Sequence, residues 1–120
     1  MNILITGATG SIGYDLVNFL SKNHKIYALY RKKSKKIKTK KNVLWIKINS
    51  LSNFKFPKKL KIQCLVHCAV DQQYLSVNKN KYFSTNINII KNLLQFLKTQ
   101  KKVILFNCST IEVYGNINKH

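Results

Sequence analysis

Acidic side chains are nearly absent from this chain. Its 120 residues include three, Asp15, Asp71 and Glu112, against 22 Lys and Arg, for a formal net charge of +19. Long apolar runs are also missing. None approaches the ~20 residues that span a bilayer, so no transmembrane segment is expected. Met1-Asn2-Ile3 has neither a charged leader region nor a cleavage site, so no secretory signal is expected and the chain is assigned to the cytoplasm. Proline occurs once, at Pro57, which argues against a long helix across residues 49–61. The densest basic run, Arg31-Lys32-Lys33-Ser34-Lys35-Lys36-Ile37-Lys38-Thr39-Lys40-Lys41, contains no aromatic residue on which a base could stack, and no nucleic-acid motif accompanies it. Specific nucleic-acid recognition is therefore not expected, although charge alone gives weak, salt-sensitive binding. Lys, Asn and Ile dominate the composition, and a gene rich in A and T explains that bias.

Three cysteines are present: Cys64, Cys68 and Cys108. Cys64-Leu65-Val66-His67-Cys68 has the look of a metal ligand set. On a strand, however, Cys64 and Cys68 face one side and His67 the other, so no metal site is assigned. All three thiols sit in apolar strand runs and are expected to be buried and free, without a disulfide.

Three of the four glycines fall in Thr6-Gly7-Ala8-Thr9-Gly10-Ser11-Ile12-Gly13, directly after the apolar run Ile3-Leu4-Ile5. The pattern predicts a strand, a tight turn and a helix N-terminus, the arrangement that grips a dinucleotide pyrophosphate. Gly7 makes the turn, Gly10 lets the backbone approach the anion, and Gly13 allows the helix to pack on the strand. Free N–H groups and the helix dipole then face the phosphate. Ile12, Leu16, Val17, Phe19 and Leu20 give the helix its apolar spacing.

Further along, strands are expected at about 2–6, 25–30, 43–48, 64–68 and 103–108. Helices are expected at about 11–22 and 80–100, the second burying a stripe of Tyr82, Phe83, Ile87, Ile90, Leu93, Leu94 and Leu97. Short apolar strands alternating with helices imply an α/β, Rossmann-type, doubly wound parallel sheet of about five strands. The first strand should lie near its middle, and the cofactor crevice between the ends of strands one and four. The whole of 1–120 reads as one NAD(P)-binding domain. An NAD site usually carries an acid at the end of strand two. Here Tyr30 stands there, followed by Arg31, the only arginine. Its planar fork suits a 2′-phosphate, and Lys32 and Lys33 add to it, so NADP is expected over NAD.

Four motifs in order resemble the extended short-chain dehydrogenase/reductase family, the NAD-dependent epimerase/dehydratases that act mostly on nucleotide sugars. Thr6 to Gly13 is similar to TGxxGxxG. Val66-His67-Cys68-Ala69-Val70 is similar to VIHLAA. Asn86-Ile87-Asn88-Ile89-Ile90-Lys91-Asn92-Leu93-Leu94 is similar to NVxGTxNLL, and Asn107-Cys108-Ser109-Thr110-Ile111-Glu112-Val113-Tyr114-Gly115 to SSSxxVYG. The resemblance implies that Gly7, Thr9, Gly10, Ser11, Ile12 and Gly13 hold the cofactor turn. It further implies that Cys68, Ala69 and Val70 line the nicotinamide-side ribose and pyrophosphate. Asn49, with Ser50 beside it, stands where the family has an adenine-contacting Asp. Asn86 would position the cofactor, and Thr110 matches the catalytic Ser/Thr that hydrogen-bonds the substrate's reacting oxygen. Tyr114 and His67 are read as structural.

The family's YxxxK pair, in which a lysine lowers the phenol pKa of the base, has no counterpart. Tyr74 is followed four on by Asn78, Tyr82 by Asn86, and Tyr114 by Asn118. The substrate-binding C-terminal part is missing from the chain. Ile89 replaces a usual glycine, and Val70 a usual small residue. The family sheet would therefore be truncated before its last strands, leaving strand five as an open edge prone to self-association. Three readings remain open. The chain is the NAD(P)-binding portion of an epimerase, dehydratase or reductase, whose nucleotide-sugar substrate would bind only when further chain completes it. Alternatively, it is a non-catalytic module or a subunit completed by another chain. The third is a basic nucleic-acid binder.

Overall fold

A computed structural model describes residues 1–70 and 79–109. In chain order the elements are β1 (Asn2–Thr6), α1 (Ser11–Leu20), β2 (Lys25–Tyr30), β3 (Val43–Lys47), β4 (Cys64–His67), α2 (Lys79–Lys98) and β5 (Ile104–Asn107). All five strands are parallel, in the order β3-β2-β1-β4-β5. β1 is central, as expected. The observed helices and strands depart from the expected limits by one or two residues at most.

Strand alternation divides the core into two layers. Ile3, Ile5, Ile26, Ala28, Cys64 and Val66 face α1 and pack with Ala8 and Val17. Leu4, Leu29 and Leu65 face the other way, against Ile89, Leu93 and Phe96 of α2 and against Ile48, Leu51, Leu60 and Ile62 of the flanking crossover. That crossover forms no helix. Instead Phe56 stacks on Phe96 with ring centroids 4.1 Å apart, and Phe54 meets Phe56 edge-on at 4.9 Å. The Asn92 amide donates to the carbonyls of Leu51 and Phe54 at 2.8 and 2.9 Å. Gln100 closes the far end of the crossover. Its amide donates to the Leu60 carbonyl at 3.2 Å, and its oxygen accepts from the Ile62 N–H at 3.1 Å.

The buried face of α2 matches the expected stripe at Leu93 and at the half-buried Leu97, and differs from it elsewhere. Ile89, Leu93 and Phe96 are buried, whereas Phe83, Ile87, Ile90 and Leu94 are exposed. The Tyr82 side chain lies outside the described residues. Both sets have i, i+4, i+7 spacing, so periodicity alone gives two candidate faces roughly a third of a turn apart. The sheet took the face that carries Asn92 beside it, which also satisfies the crossover carbonyls. On α1, Gly13 and Val17 are buried, while Ile12 and Phe19 are exposed. A helix this short offers the sheet one narrow strip, formed by Val17 with Leu16 and Leu20 beside it, and Gly13 packs at its start.

Among the described residues β5 is the outermost strand, and its four residues are all exposed. Ile104, Leu105 and Phe106 each show about half of their surface, at 53, 45 and 57%.

Candidate functional site

The site forms where β1 ends. Gly7 adopts φ +66°, a left-handed conformation that L side chains rarely take. Sterics forbid a side chain there independently. A Cβ on Gly7 would stand 2.8 Å from the Ala69 nitrogen and 2.9 Å from the Cys68 carbonyl. The Gly7 carbonyl excludes a side chain at Gly13 and crowds one at Gly10. A Cβ on Gly13 would sit 2.2 Å from the Gly7 oxygen, and one on Gly10 would sit 3.1 Å from it. The Gly10 N–H donates to that oxygen at 2.9 Å. Gly13 thus fits the helix against the turn itself, a closer constraint than packing on the strand. Gly10 is the N-cap of α1, provides no side-chain cap, and no acid occupies the first turn. The helix therefore presents uncapped N–H groups and the positive end of its dipole.

A crevice of about 290 Å³ opens beside this turn. Gly7, Thr9 and Gly10 line it from the turn, and Leu29, Tyr30, Arg31 and Lys32 from the end of β2. Ile48, Ser50 and Leu51 line it after β3, Cys68, Ala69 and Val70 after β4, and Thr85 and Ile89 from α2. The structure thus brings together Gly7, Thr9, Gly10, Arg31, Ser50, Cys68, Ala69 and Val70 of the expected site. Ser11 and Ile12 are exposed on the first turn of α1, and Gly13 is buried beneath it. Asn49 is exposed and lies outside the lining, because backbone alternation turns Ile48 and Ser50 inward instead. Asn86 also lies outside the lining, and its neighbour Thr85 takes that place. Thr110, Tyr114 and Tyr74 are outside the described residues.

The basic run is folded down onto α1. The Lys36 ammonium donates to the Thr9 carbonyl at 3.2 Å and lies 5.1 Å from the Tyr14 ring centre. Lys40 reaches the Asn18 side chain. The Asn42 amide donates to the Ser21 carbonyl at 2.9 Å, and the Trp45 indole donates to Lys38 at 2.9 Å. Arg31 and Lys32 at the crevice, with Lys36 on the turn, concentrate positive charge at one end of the site. The only acid among the described residues, Asp15, is exposed on α1.

Sequence reasoning missed the lock between β1 and β4. The Thr6 hydroxyl oxygen accepts the N–H groups of Cys68 and Ala69, both at 3.2 Å. Its own proton is therefore free for His67 Nδ1, 2.7 Å away. Nδ1 acts as the acceptor, so the neutral ring carries its proton on Nε2. Thr6 and His67 are both buried, and no buried polar side-chain atom among the described residues lacks a partner. Burial holds the His67 pKa below its usual value. The polar residue at the end of each strand was the available signal.

The three thiols also separate. Cys64 is buried, Cys68 is half-buried and Cys108 is exposed. The Cys108 expectation fails because β5 is the sheet edge and nothing described covers it. The sulfurs of Cys68 and Cys108 lie 3.3 Å apart. No group of three or more His, Cys, Asp or Glu among the described residues could hold a metal.

The family model for the NAD-dependent epimerase/dehydratases matches residues 3–120. The chain belongs to that family. Among solved structures, it superposes on a UDP-galactose 4-epimerase with TM-score 0.81 at 18% identity, covering 98% of this chain and 41% of that one. An ADP-L-glycero-D-manno-heptose-6-epimerase from Helicobacter pylori gives 0.75 at 27% identity, with 96 and 41% coverage. A short-chain dehydrogenase from Leptospira borgpetersenii with bound NAD+ gives 0.70 at 17%, with 98 and 54% coverage. The chain therefore spans about two-fifths of the epimerases and about half of the dehydrogenase. None of the curated proteins matches it in sequence.

The Thr6–His67 lock has a pH signature. In the unfolded chain His67 takes a proton near pH ~6.5, whereas the folded chain resists it to lower pH. Its contribution to stability is full above that pH and is lost as the pH falls toward the folded-state value. Urea midpoints of the wild type should therefore drop more steeply than those of His67→Asn between pH 7 and 5. Parallel slopes would contradict a neutral His67. Thr6→Val removes one donor and the acceptor of two N–H groups, and should cost about 1–3 kcal/mol at pH 7.

Proposed function

We propose that this chain is the NAD(P)-binding portion of a nucleotide-sugar epimerase, dehydratase or reductase-like protein. The observation that carries this reading is the convergence on one crevice of the Gly7 turn, the uncapped α1 N-terminus and the β4 end. Gly7, Thr9 and Gly10 would line the pyrophosphate, the uncapped N–H groups at the start of α1 would hold it, and Cys68, Ala69 and Val70 would bound the nicotinamide side. When bound, the dinucleotide supplies hydride-transfer chemistry. No helix among the described residues is long and apolar enough to cross a membrane, and we assign the protein to the cytoplasm.

The same crevice supports NADP over NAD. Tyr30 stands where an acid would hold the ribose 2′-hydroxyl, with Arg31 and Lys32 beside it in the lining. A charge-assisted hydrogen bond contributes about 1.5–3 kcal/mol, roughly a ten- to hundredfold preference. Calorimetric titration should show that preference in the wild type and its loss in Arg31→Ala. Equal affinities in the wild type would remove the argument.

The chain alone is proposed to be catalytically silent, because it has no Tyr/Lys pair and would lack a substrate pocket. Losing a general base costs ~10²–10⁴ in rate. The purified 120-residue chain with NADP+ or NAD+ should not convert a nucleotide sugar, and measurable turnover would refute this.

A second reading, a module completed by another chain, is favoured by β5. Its edge position and exposed Ile104, Leu105 and Phe106 leave backbone and apolar surface open to pairing. We expect self-association that rises with concentration in light scattering, and a concentration-independent monomer would count against it.

A further inference from the structure

Cys68 and Cys108 stand at the ends of neighbouring parallel strands. The β4–β5 register closes at His67 and Asn107, and the Cys108 N–H donates to the His67 carbonyl at 2.9 Å, so the two cysteines come next, side by side. Neighbouring strands lie ~4.8 Å apart, within the ~4.4–6.8 Å Cα separation that a disulfide spans. The sulfurs already approach to 3.3 Å. Access to the pair is unequal. Cys108 is exposed, Cys68 is half-buried in the crevice wall, and Cys64 is buried in the core.

We propose that Cys68 and Cys108 are a site of reversible oxidation, converted by low-molecular-weight disulfides into an intramolecular disulfide on the wall of the dinucleotide crevice. The Cys108 thiolate attacks one sulfur of the small disulfide, forming a mixed disulfide and releasing one small thiolate, which takes up a proton. Cys68 then loses its proton to solvent and attacks the Cys108 sulfur, expelling the second small thiolate. Two protein thiols are oxidised and one small disulfide is reduced to two thiols. Burial, with Cys108 beside it, pushes the Cys68 thiol up to about 12, which makes Cys108 the point of entry. Once Cys108 is capped, its charge no longer opposes ionisation of Cys68.

Because Cys68 is part of the wall, the oxidised and reduced chains present different surfaces to a ligand, and ligand binding and oxidation become linked. This last step alone rests on the dinucleotide reading above. The test incubates the purified chain with oxidised glutathione and reads intact mass and peptide maps. The expected product is a monomer short of two hydrogens with residues 68 and 108 joined. Cys64→Ser should still form it, whereas Cys68→Ser should stop at a glutathione adduct on Cys108. Stable separate adducts, a Cys108-linked dimer or no reaction in the wild type would overturn the proposal. In a glutathione buffer that leaves about half of the chain oxidised, saturating NADP+ should shift the oxidised fraction, and an unchanged fraction would overturn the linkage. Failure of the reduced chain to bind NADP+ would overturn the dinucleotide reading and the linkage with it, while the mass result still decides the pair.

Discussion

The close approach of Thr6-Gly7 to Cys68-Ala69 is the contact on which the rest of the site depends. Two parallel strands, β1 and β4, end side by side, and their following peptides must diverge within one residue. Gly7 makes room for the Cys68–Ala69 peptide that a side chain would block. The Thr6 hydroxyl captures both N–H groups of that peptide's flanks and hands its proton to His67. The Gly7 carbonyl in turn excludes a side chain at Gly13 and crowds one at Gly10. The orientation of α1 and the β4 wall of the crevice are thus set by one compact piece of backbone.

Charge acts around that frame. With 22 cationic residues and three acids in the chain, the protein cannot neutralise itself. The loop after β2 leaves most of its cations exposed but is itself tied down. Lys36, Lys40, Asn42 and Trp45 hold it against α1 and β3, which leaves Arg31 and Lys32 at the crevice. An anionic ligand there relieves repulsion as well as gaining hydrogen bonds, so its affinity should weaken with ionic strength.

The strand-turn-helix start was legible because its glycine spacing is a local pattern, three positions in seven residues at the end of an apolar strand, even though Gly7 answers to the distant Cys68–Ala69 peptide. The parallel sheet was legible from short apolar strands separated by helices. The buried face of α2 was not, since Phe83, Ile87, Ile90 and Leu94 repeat as regularly as Ile89, Leu93 and Phe96. The choice between them was made by contacts far away in sequence. Asn49 lies outside the crevice lining for a related reason, because the register after β3 decides which of two adjacent side chains turns inward. Thr6–His67 and Cys68–Cys108 are pairs across strand ends. Neither pairing shows in either residue alone, and only the strand order brings the partners together.

The central claim is that the crevice at the ends of β1, β2 and β4 is a dinucleotide site. Titration of isotope-labelled chain with NADP+, followed by amide chemical shifts, tests it most directly. The account predicts saturable shifts at Gly7 to Gly13, at Tyr30 to Lys32 and at Cys68 to Val70, persisting at salt levels that abolish binding to DNA. Shifts scattered over the lysine-rich surface, vanishing together with DNA binding as salt rises, would contradict it.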